Sequence, residues 1–546
     1  MSTSRRLALL WGGLWLLTVA AGLALRPPLP VDETRYLSVA WEMWVRGDFL
    51  VPHLNGEPYS HKPPLLFWLM QAGWSLFGVV EWWPRLVAPL FALATLFLTR
   101  TLARDLWPTR PQVADWAPVL LVGSAFWALF QTVTMFDMLL AAFALMALIG
   151  LVRFWRDGRA RWIGLAAVAI GLGVLAKGPA ILLHVLPVAL SAPLWAPRLD
   201  GDNAGMSWRR WYGGVALAVV GGAALALAWA VPAGQAGGEA YREAIFWGQS
   251  AGRMVKSFAH ARPFWWYAAV LPGLLFPWVL WPTAWRALRR GRNAATRADG
   301  GVRLCLIWFG VAFLAFSVIS GKQLHYLLPE FPALALVLAW LLSRDETSDA
   351  PARRSETLWP ALPVMVVGLA ILAVVLLPLE FKKPYWFDTV DGGWAVLAVV
   401  AGAVVAACWR ATSETRLMAL ALLSPALVLV AHLGASGVLH QFYDLRPLAR
   451  QLATWQQAGI AIGHFGKYRA EYHFLGRLKQ PITVVGRRDG DQAAFLAANP
   501  KAHVVALHDR LPSQAMPLLS HPFRRRLVTV WDAATVVRNP GITKRN

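Results

Sequence analysis

The sequence is poor in charged residues and almost free of cysteine. Of its 546 residues, 15% are Asp, Glu, Lys or Arg, whereas a soluble globular protein has about 25%. Hydrophobic residues make up 57%, which excludes a disordered chain as well as an ordinary soluble enzyme. The two cysteines, Cys305 and Cys408, are far apart in apolar runs, so we expect no disulfide bond. The sequence also lacks a Gly-rich phosphate loop, a Cys/His metal cluster and a nucleophile elbow.

Long apolar runs dominate the sequence instead. A membrane-spanning helix needs about 20 mainly apolar residues, and the 31 Trp suit membrane–water interfaces. The pattern therefore predicts an all-α polytopic membrane protein with thirteen transmembrane helices. The predicted spans are 7–25, 84–103, 114–133, 138–154, 161–176, 179–196, 212–231, 264–285, 303–320, 325–342, 359–378, 392–410 and 415–435.

The distribution of arginine predicts how these spans are oriented. The net charge is +22, and most Arg lie between apolar runs, so anionic lipid headgroups are the expected counter-charge rather than nucleic acid. A further apolar run, 63–79, begins with two prolines. If this run does not cross, all Arg-rich loops share one side, as the positive-inside rule requires. We therefore expect 63–79 to lie at the outer interface, the first span to remain uncleaved and the C-terminus to lie outside.

The composition changes near residue 436. Charged residues become frequent, apolar runs shorten to strand length, and strands alternate with helices, which predicts a small α/β domain over 436–546. Residues 1–435 then form the transmembrane domain, with a long first outer loop at 26–83. Within the small domain the predicted strands are 459–463, 481–486 and 503–507, and the predicted helices are 446–457, 468–477 and 491–498.

Polar residues that interrupt the apolar pattern collect on the predicted outer face. Asp137 lies between two apolar runs, where a carboxylate is costly, so a functional role is favoured over a turn residue. Asp32 precedes a helical pattern and suits either a helix cap or a functional group. Lys62 is equally consistent with a membrane anchor, and for Lys177 the anchor is favoured.

The chemistry of this outer face points to phosphate. Arg grips a phosphate through two parallel hydrogen bonds, and Lys provides a point charge. Either side chain would stabilise a phosphate that leaves during a reaction. Taken singly, Arg253 and His325 each have an ordinary interpretation, as a solvated loop residue and a structural hydrogen-bonding residue.

Several motifs resemble a known family. The stretch DETRY followed by GDFLVPHLNGEPYSHKPPLL resembles the first periplasmic loop of ArnT-like bacterial lipid A aminoarabinose transferases. FWGQSAGRM followed by HARPFWWY is similar to the central loop of that family, and SGKQLHYLLPEFPALA to a later outer turn and span. The family belongs to the GT-C glycosyltransferases, with the protein O-mannosyltransferases. The resemblance covers residues 30–340 and implies a GT-C fold of about thirteen transmembrane helices with a periplasmic α/β domain.

The resemblance also implies an activity and a site. The protein would be an inverting glycosyltransferase that moves 4-amino-4-deoxy-L-arabinose, or a similar amino sugar, from undecaprenyl phosphate to a lipid A phosphate. It would act at the periplasmic face of the bacterial inner membrane, in a lipopolysaccharide modification linked to polymyxin resistance. The implied catalytic residues are Asp32 and Asp137, the donor-phosphate ligands are Lys62 and Arg253, and the substrate pocket includes Glu33, Arg35, Tyr36, His61, Lys322, His325 and Tyr326.

The sequence departs from the family at one pair of positions. His61 stands where relatives often have Glu, and Ser250 stands where they have His. Because His and Ser are a poor pair of metal ligands, we predict no metal at these positions and no cofactor. Whether a divalent cation takes part in the reaction stays open. The sugar and the acceptor also stay open.

Two other functions remain alternatives. One is transfer from the same class of donor to a protein or glycan hydroxyl. The other is a lipid-linked-sugar transporter, which the lack of internal repeats disfavours.

Overall fold

The structure is a computed structural model that describes residues 3–199, 205–248, 261–344, 353–377, 384–486, 488–512 and 515–543. Helices dominate. The first group comprises α1 (Thr3–Leu25), α2 (Asp32–Arg46), α3 (Leu65–Phe77), α4 (Trp82–Leu106), α5 (Pro111–Val122), α6 (Ala125–Phe130), α7 (Asp137–Asp157), α8 (Ala160–Lys177), α9 (Ala180–Leu190), α10 (Ala192–Trp195), α11 (Trp208–Ala236) and α12 (Glu239–Glu243). The second comprises α13 (Trp266–Leu274), α14 (Pro282–Arg290), α15 (Ala294–Ala298), α16 (Gly300–Val318), a 3-10 helix (Leu324–Glu330), α17 (Phe331–Ser343), α18 (Ser355–Leu376), α19 (Ala395–Ala407), α20 (Ser413–Ala421) and α21 (Leu423–Tyr443).

Each predicted span has a helical counterpart, although some are interrupted. Among the described residues, ten helices are long and apolar enough to cross a membrane, or eleven if the bent pair α9 and α10 is one span. The predicted spans 114–133 and 264–285 are instead divided into shorter helices. The first is divided at Gly123, where a Cβ would lie 2.8 Å from the Ala421 Cα, so the glycine permits close packing of two helices. Hydropathy alone does not reveal such breaks, because the residues on both sides are equally apolar.

The apolar run 63–79 forms the short helix α3. Its 13 residues reach about 20 Å at 1.5 Å per residue, less than the roughly 30 Å of a bilayer core. This length agrees with the prediction that the run does not cross. Gly73 lets the Trp83 ring lie directly against α3, and the Trp83 indole donates a hydrogen bond of 2.9 Å to the Leu69 carbonyl.

The C-terminal part contains the expected small sheet. Three helices precede or connect its strands, α22 (Arg446–Gln457), α23 (His473–Gly476) and α24 (Asp489–Ala498), and α25 (Ala533–Arg538) follows them. The strands are β3 (Ile462–Phe465), β4 (Thr483–Val485), β5 (His503–His508), β6 (Leu519–Phe523) and β7 (Arg526–Asp532), in the order β4-β3-β5-β7-β6. A separate hairpin in the first outer loop pairs β1 (His53–Leu54) with β2 (Glu57–Pro58).

The sequence located this sheet only in part. β3 pairs in parallel with β4 and β5, whereas β7 is antiparallel to β5 and β6. The strands β6 and β7 were not predicted, although the consecutive β-branched residues Val528, Thr529 and Val530 of β7 are typical of a strand. The predicted helix 468–477 is wrong over most of its length, because only 473–476 is helical. The domain boundary at 435/436 stays a prediction.

The C-terminal sheet domain is attached to the first outer loop. The Ser38 hydroxyl of α2 donates to the Ala470 carbonyl at 2.7 Å and accepts from the Phe474 amide at 3.1 Å. The rings of Trp74 and Phe474 stack with their centres 5.3 Å apart, and the Trp41 indole donates to a carbonyl of the same domain at 2.8 Å. These buried contacts place the domain directly beside α2, which begins at Asp32.

Candidate functional site

Asp137 and Lys177 form an ion pair at the adjacent ends of two neighbouring helices. Asp137 is the first residue of α7 and Lys177 is the last residue of α8. The Lys177 ammonium donates to the Asp137 carboxylate, of which only 3% is exposed. Because a buried charge requires a partner, this pairing accounts for a carboxylate that interrupts two apolar runs.

Tyr326 and His325 lie beside this ion pair. The Lys177 ammonium is 4.8 Å from the centre of the Tyr326 ring, a distance that suits a cation–π contact. The His325 ring stands edge-on to Tyr326, 5.0 Å between centres, and lies within electrostatic range of Asp137. The structure thus brings together the two predicted pocket residues of the 3-10 helix and the predicted catalytic Asp137.

Lys62 reaches the same place from the first outer loop. Its ammonium is 5.4 Å from the centre of the Phe136 ring, and it lies within electrostatic range of Asp137. The Phe136 ring also contacts Tyr36 edge-on at 4.9 Å. Burial raises the pKa of the Tyr36 phenol, so this hydroxyl stays neutral at physiological pH. Phe136 therefore connects the lysine of the first loop, α2 and the start of α7.

Asp32 and Arg35 form the accessible rim of the site. The Arg35 guanidinium donates to the Asp32 carboxylate at 2.5 Å and lies 5.3 Å from the centre of the Tyr36 ring. The Asp32 side chain is 55% exposed, in contrast to Asp137. Of the two predicted catalytic carboxylates, Asp32 is therefore the one that a substrate can reach directly. No hydrogen bond from Asp32 caps α2 among the described residues.

Glu33, predicted for the substrate pocket, is buried and forms an ion pair and hydrogen bonds with neighbouring residues. Its carboxylate is 1% exposed, pairs with Arg26, and accepts from the Leu29 and Thr134 amides, both at 2.8 Å. Burial raises the pKa of Glu33, but the charge and hydrogen bonds of Arg26 and the charge of Arg85 outweigh it and hold the pKa at about 2. This geometry favours a positioning role, because Glu33 joins α2 to the segment that leads to Asp137.

Lys322, also predicted for the pocket, binds main-chain carbonyls. Its ammonium donates to the Ile319 carbonyl at 2.5 Å and to the Arg262 carbonyl at 3.0 Å. An isolated bridge between Ala261 and Gly321 joins the same two segments. Lys322 thus joins the segment 261–262 to the turn 319–322, which again favours a positioning role.

Two predicted residues are placed less directly. The His61 ring lies 5.2 Å from the Tyr59 ring in the first outer loop, one residue from Lys62. Arg253, the second predicted phosphate ligand, and Ser250, the predicted partner of His61, lie outside the described residues. The described residues hold no group of three or more His, Cys, Asp or Glu side chains arranged for a metal ion.

Sequence reasoning underestimated Lys177. It favoured a membrane anchor there, whereas the side chain reaches the centre of the site. The available signal was the Gly-Pro turn directly after Lys177, which ends a span at the same face as Asp137. The contribution of Phe136 was also missed, since an aromatic residue next to an apolar run carries no distinct signal.

An apolar cavity of about 230 Å³ lies among the spans, and none of the candidate site residues lines it. Its walls come mainly from α14, α17 and the segment 275–279, with Leu120, Trp278 and Phe331 among the lining residues. Such a lining suits a hydrocarbon chain rather than a sugar.

Comparison with known proteins identifies the class. The structure superposes on crystal structures of ArnT from Cupriavidus metallidurans, in the apo state (TM-score 0.74, 21% identity, 98% of this chain and 99% of that chain) and bound to undecaprenyl phosphate (TM-score 0.73, 20% identity, 97% and 98%). A family described as dolichyl-phosphate-mannose-protein mannosyltransferase matches residues 61–225. The chain therefore has the fold of these structures, which confirms the predicted fold class.

The relatives in sequence are more specific. Undecaprenyl phosphate-alpha-4-amino-4-deoxy-L-arabinose arabinosyl transferase of Pseudomonas aeruginosa (strain LESB58) is 30% identical over 416 residues, which cover 72% of this chain and 71% of that protein. The enzyme of the same name from Edwardsiella ictaluri (strain 93-146) is 30% identical over 380 residues, 68% of this chain and 65% of that protein. The chain belongs to this family of arabinosyl transferases, as its outer-loop motifs predicted.

Proposed function

We propose that the protein transfers 4-amino-4-deoxy-L-arabinose, or a similar amino sugar, from undecaprenyl phosphate to a phosphate of lipid A. The observation that carries the proposal is the convergence of Lys62, Lys177 and Asp137 below the exposed Asp32 at one end of the helix bundle. Two cations and two carboxylates around aromatic rings suit a sugar that is linked to an anionic leaving group. The family membership supports the choice of donor and acceptor.

The proposed roles follow from burial and charge. Lys62, with Arg253, holds the donor phosphate, because its ammonium lies 5.4 Å from the centre of the Phe136 ring and within electrostatic range of Asp137. Asp137 orients Lys177, which lies over the Tyr326 ring. Asp32 stabilises the positive character that develops on the sugar, since its carboxylate is the accessible one. His325 and Tyr326 line the sugar subsite, and the polyprenyl chain lies along apolar surfaces of the spans.

The transfer is a single displacement with inversion. An oxygen of the lipid A phosphate, already an anion near neutral pH, attacks the anomeric carbon of the sugar. The bond from that carbon to the donor phosphate oxygen breaks, and undecaprenyl phosphate leaves with the electron pair. A hydroxyl acceptor would in addition need a base, a role that Asp32 is placed to fill.

We place the site and the C-terminal domain on the periplasmic face of the inner membrane. The Arg-rich loops lie at the opposite ends of the described spans, which the positive-inside rule assigns to the cytoplasm. An inner-membrane location also brings the site to the leaflet in which a periplasmic lipid A acceptor is available.

The test is mass spectrometry of lipid A from a host that lacks its own transferase of this family. The host expresses the wild type, Asp32→Asn, Lys62→Ala, or the control Glu57→Gln, an exposed carboxylate in the same loop. We expect an added amino-sugar mass for the wild type and the control and its loss in the other two. If lipid A stays unmodified although the protein is in the membrane and purified donor is supplied, the result would contradict lipid A as the acceptor. Labelled donors offered to peptide and glycan hydroxyls would then identify the alternative.

A further inference from the structure

His184 and Glu330 form a buried pair among the spans that the proposed mechanism does not use. His184 lies in α9, and Glu330 ends the 3-10 helix that leads into α17. Both side chains are 0% exposed, and the imidazole Nδ1–H donates to the Glu330 carboxylate. An ionisable pair at membrane depth is costly and therefore calls for a functional explanation.

Glu330 ends the segment that carries two predicted pocket residues. Leu324–Glu330 contains His325 and Tyr326, and it is a 3-10 helix with Pro329 near its end. A 3-10 helix has poorer hydrogen-bond geometry than an α-helix, and proline offers no backbone N–H. The main chain alone thus holds this segment weakly, so contacts at its two ends determine where its side chains lie.

Both ends of the segment are anchored by side chains of other helices. At the start, the Tyr267 hydroxyl of α13 donates to the Gln323 carbonyl at 2.8 Å. At the end, His184 holds Glu330. Tyr326 lies between these anchors, with its ring 5.7 Å from Phe316, whose own ring lies 6.0 Å from His184.

The helix that carries His184 begins three residues after Lys177. A Gly178-Pro179 turn joins α8 to α9, so Lys177 and His184 lie seven residues apart on one helical hairpin. Lys177 contacts the Tyr326 ring and pairs with Asp137. The hairpin therefore meets the 3-10 segment at two points, one at the site and one deeper among the spans.

We infer that the His184–Glu330 pair is a positioning device that sets the place of Tyr326 and His325 relative to Lys177 and Asp137. Resting on the proposed function, this inference predicts that the pair controls the rate of sugar transfer rather than donor binding. The donor phosphate is held by Lys62 and Arg253, which do not belong to the hairpin or to the 3-10 segment.

The pair is poorly arranged for stability alone. His184 Nε2 and Glu330 Oε2 have no hydrogen-bond partner in the described part of the chain. Replacing both members of such a buried pair by apolar residues of similar size is often neutral or stabilising, whereas removing one member leaves a buried group uncompensated. The double variant His184→Leu/Glu330→Leu therefore separates positioning from stability.

The experiment compares purified wild type, the double leucine variant, Glu330→Gln and Tyr267→Phe. Thr357→Val is the matched control, because it removes a partly buried hydrogen bond of 3.0 Å to the Ala406 carbonyl in another part of the bundle. We expect the double variant to keep its thermal stability and donor KM, with kcat lower by roughly 10- to 100-fold, the range for a small misplacement of reacting groups. Glu330→Gln should retain most of the wild-type kcat, because the glutamine amide oxygen still accepts the hydrogen bond from His184.

An unchanged kcat in the double variant would overturn the inference. If that variant does not fold, Tyr267→Phe tests the same segment through its other anchor, and an unchanged kcat there would overturn it equally. Hydrogen exchange of the backbone amides of residues 324–330 provides a readout that does not depend on enzymatic activity. Faster exchange in the double variant supports the anchoring even if the wild type transfers no sugar, a result that would reject only the proposed function.

Discussion

Changing Glu33 to Gln tests whether this carboxylate holds the outer site together. Glu33 lies between Arg26 and Arg85, and its oxygens also accept from two amides. Arg26 donates to the Thr132 carbonyl at 2.6 Å, and Arg85 to the Gly22 carbonyl at 2.7 Å. Glutamine keeps the size of the side chain but removes the charge, so two buried guanidinium groups lose their central counter-charge.

The pKa of Glu33 provides the magnitude. A pKa of about 2 in the folded protein, against an ordinary value of 4.5, corresponds to about 3 kcal/mol at 1.36 kcal/mol for each tenfold change. Because the folded pKa is the lower one, this contribution is complete above pH 4.5. It decreases as the pH falls from 4.5 towards 2, where the folded carboxylate takes up its proton.

The assay is unfolding in mixed micelles with rising dodecyl sulfate, followed by tryptophan fluorescence at pH 7 and pH 3. We expect Glu33→Gln to unfold at a lower detergent fraction than the wild type at pH 7, with a smaller difference at pH 3. The matched control is Glu81→Gln. Glu81 also pairs with Arg85, at 3.3 Å, but is 25% exposed, so its loss should cost less than about 1 kcal/mol. Equal effects of both changes at pH 7, or a difference that persists undiminished at pH 3, would refute the reasoning.

Two further predictions concern the site and its neighbouring domain. Asp137→Asn and Lys177→Met should each lower kcat/KM more than tenfold. Because the two residues act as one pair, the fold-loss of the double variant should be far smaller than the product of the two single fold-losses. Full additivity in a double-mutant cycle would contradict this. Ser38→Ala should lower the free energy of unfolding by about 1–2 kcal/mol, since it removes the hydrogen bonds of the Ser38 hydroxyl to the Phe474 amide and the Ala470 carbonyl. The measurement is the rate of proteolysis at the C-terminal domain, and a rate as slow as in the wild type would contradict the prediction.

The fold class could be predicted because it depends on composition. Apolar runs of about 20 residues admit few structures other than membrane-spanning helices, since every backbone polar group must be bonded within the segment. The positive-inside rule placed 63–79 outside the spans, where the structure has the short helix α3. It failed at the interrupted spans 114–133 and 264–285, because close packing at Gly123 and a break near Pro277 are local events that hydropathy does not register.

The site could be predicted only as a set of residue types on one face. Asp137 was recognised from its cost in an apolar setting, and Lys62 from the first-loop motif. The sequence by itself thus determined that carboxylates and cations would collect at one common end of the spans. Which of them are paired was decided by the tertiary structure, because residues 40 positions apart, such as Asp137 and Lys177, meet only when α7 and α8 pack side by side.

The tertiary structure also separated accessible from structural carboxylates. Asp32 and Glu33 are neighbours in sequence, yet one is 55% exposed and the other 1%, since consecutive residues of a helix point about 100° apart. His184 and Glu330 each lie in a predicted span, where an ionisable side chain is costly, but nothing in the sequence indicated that these residues, 146 positions apart, form a pair. Local chemistry fixed what these side chains are able to do, and the packing of distant helices determined which of them do it together.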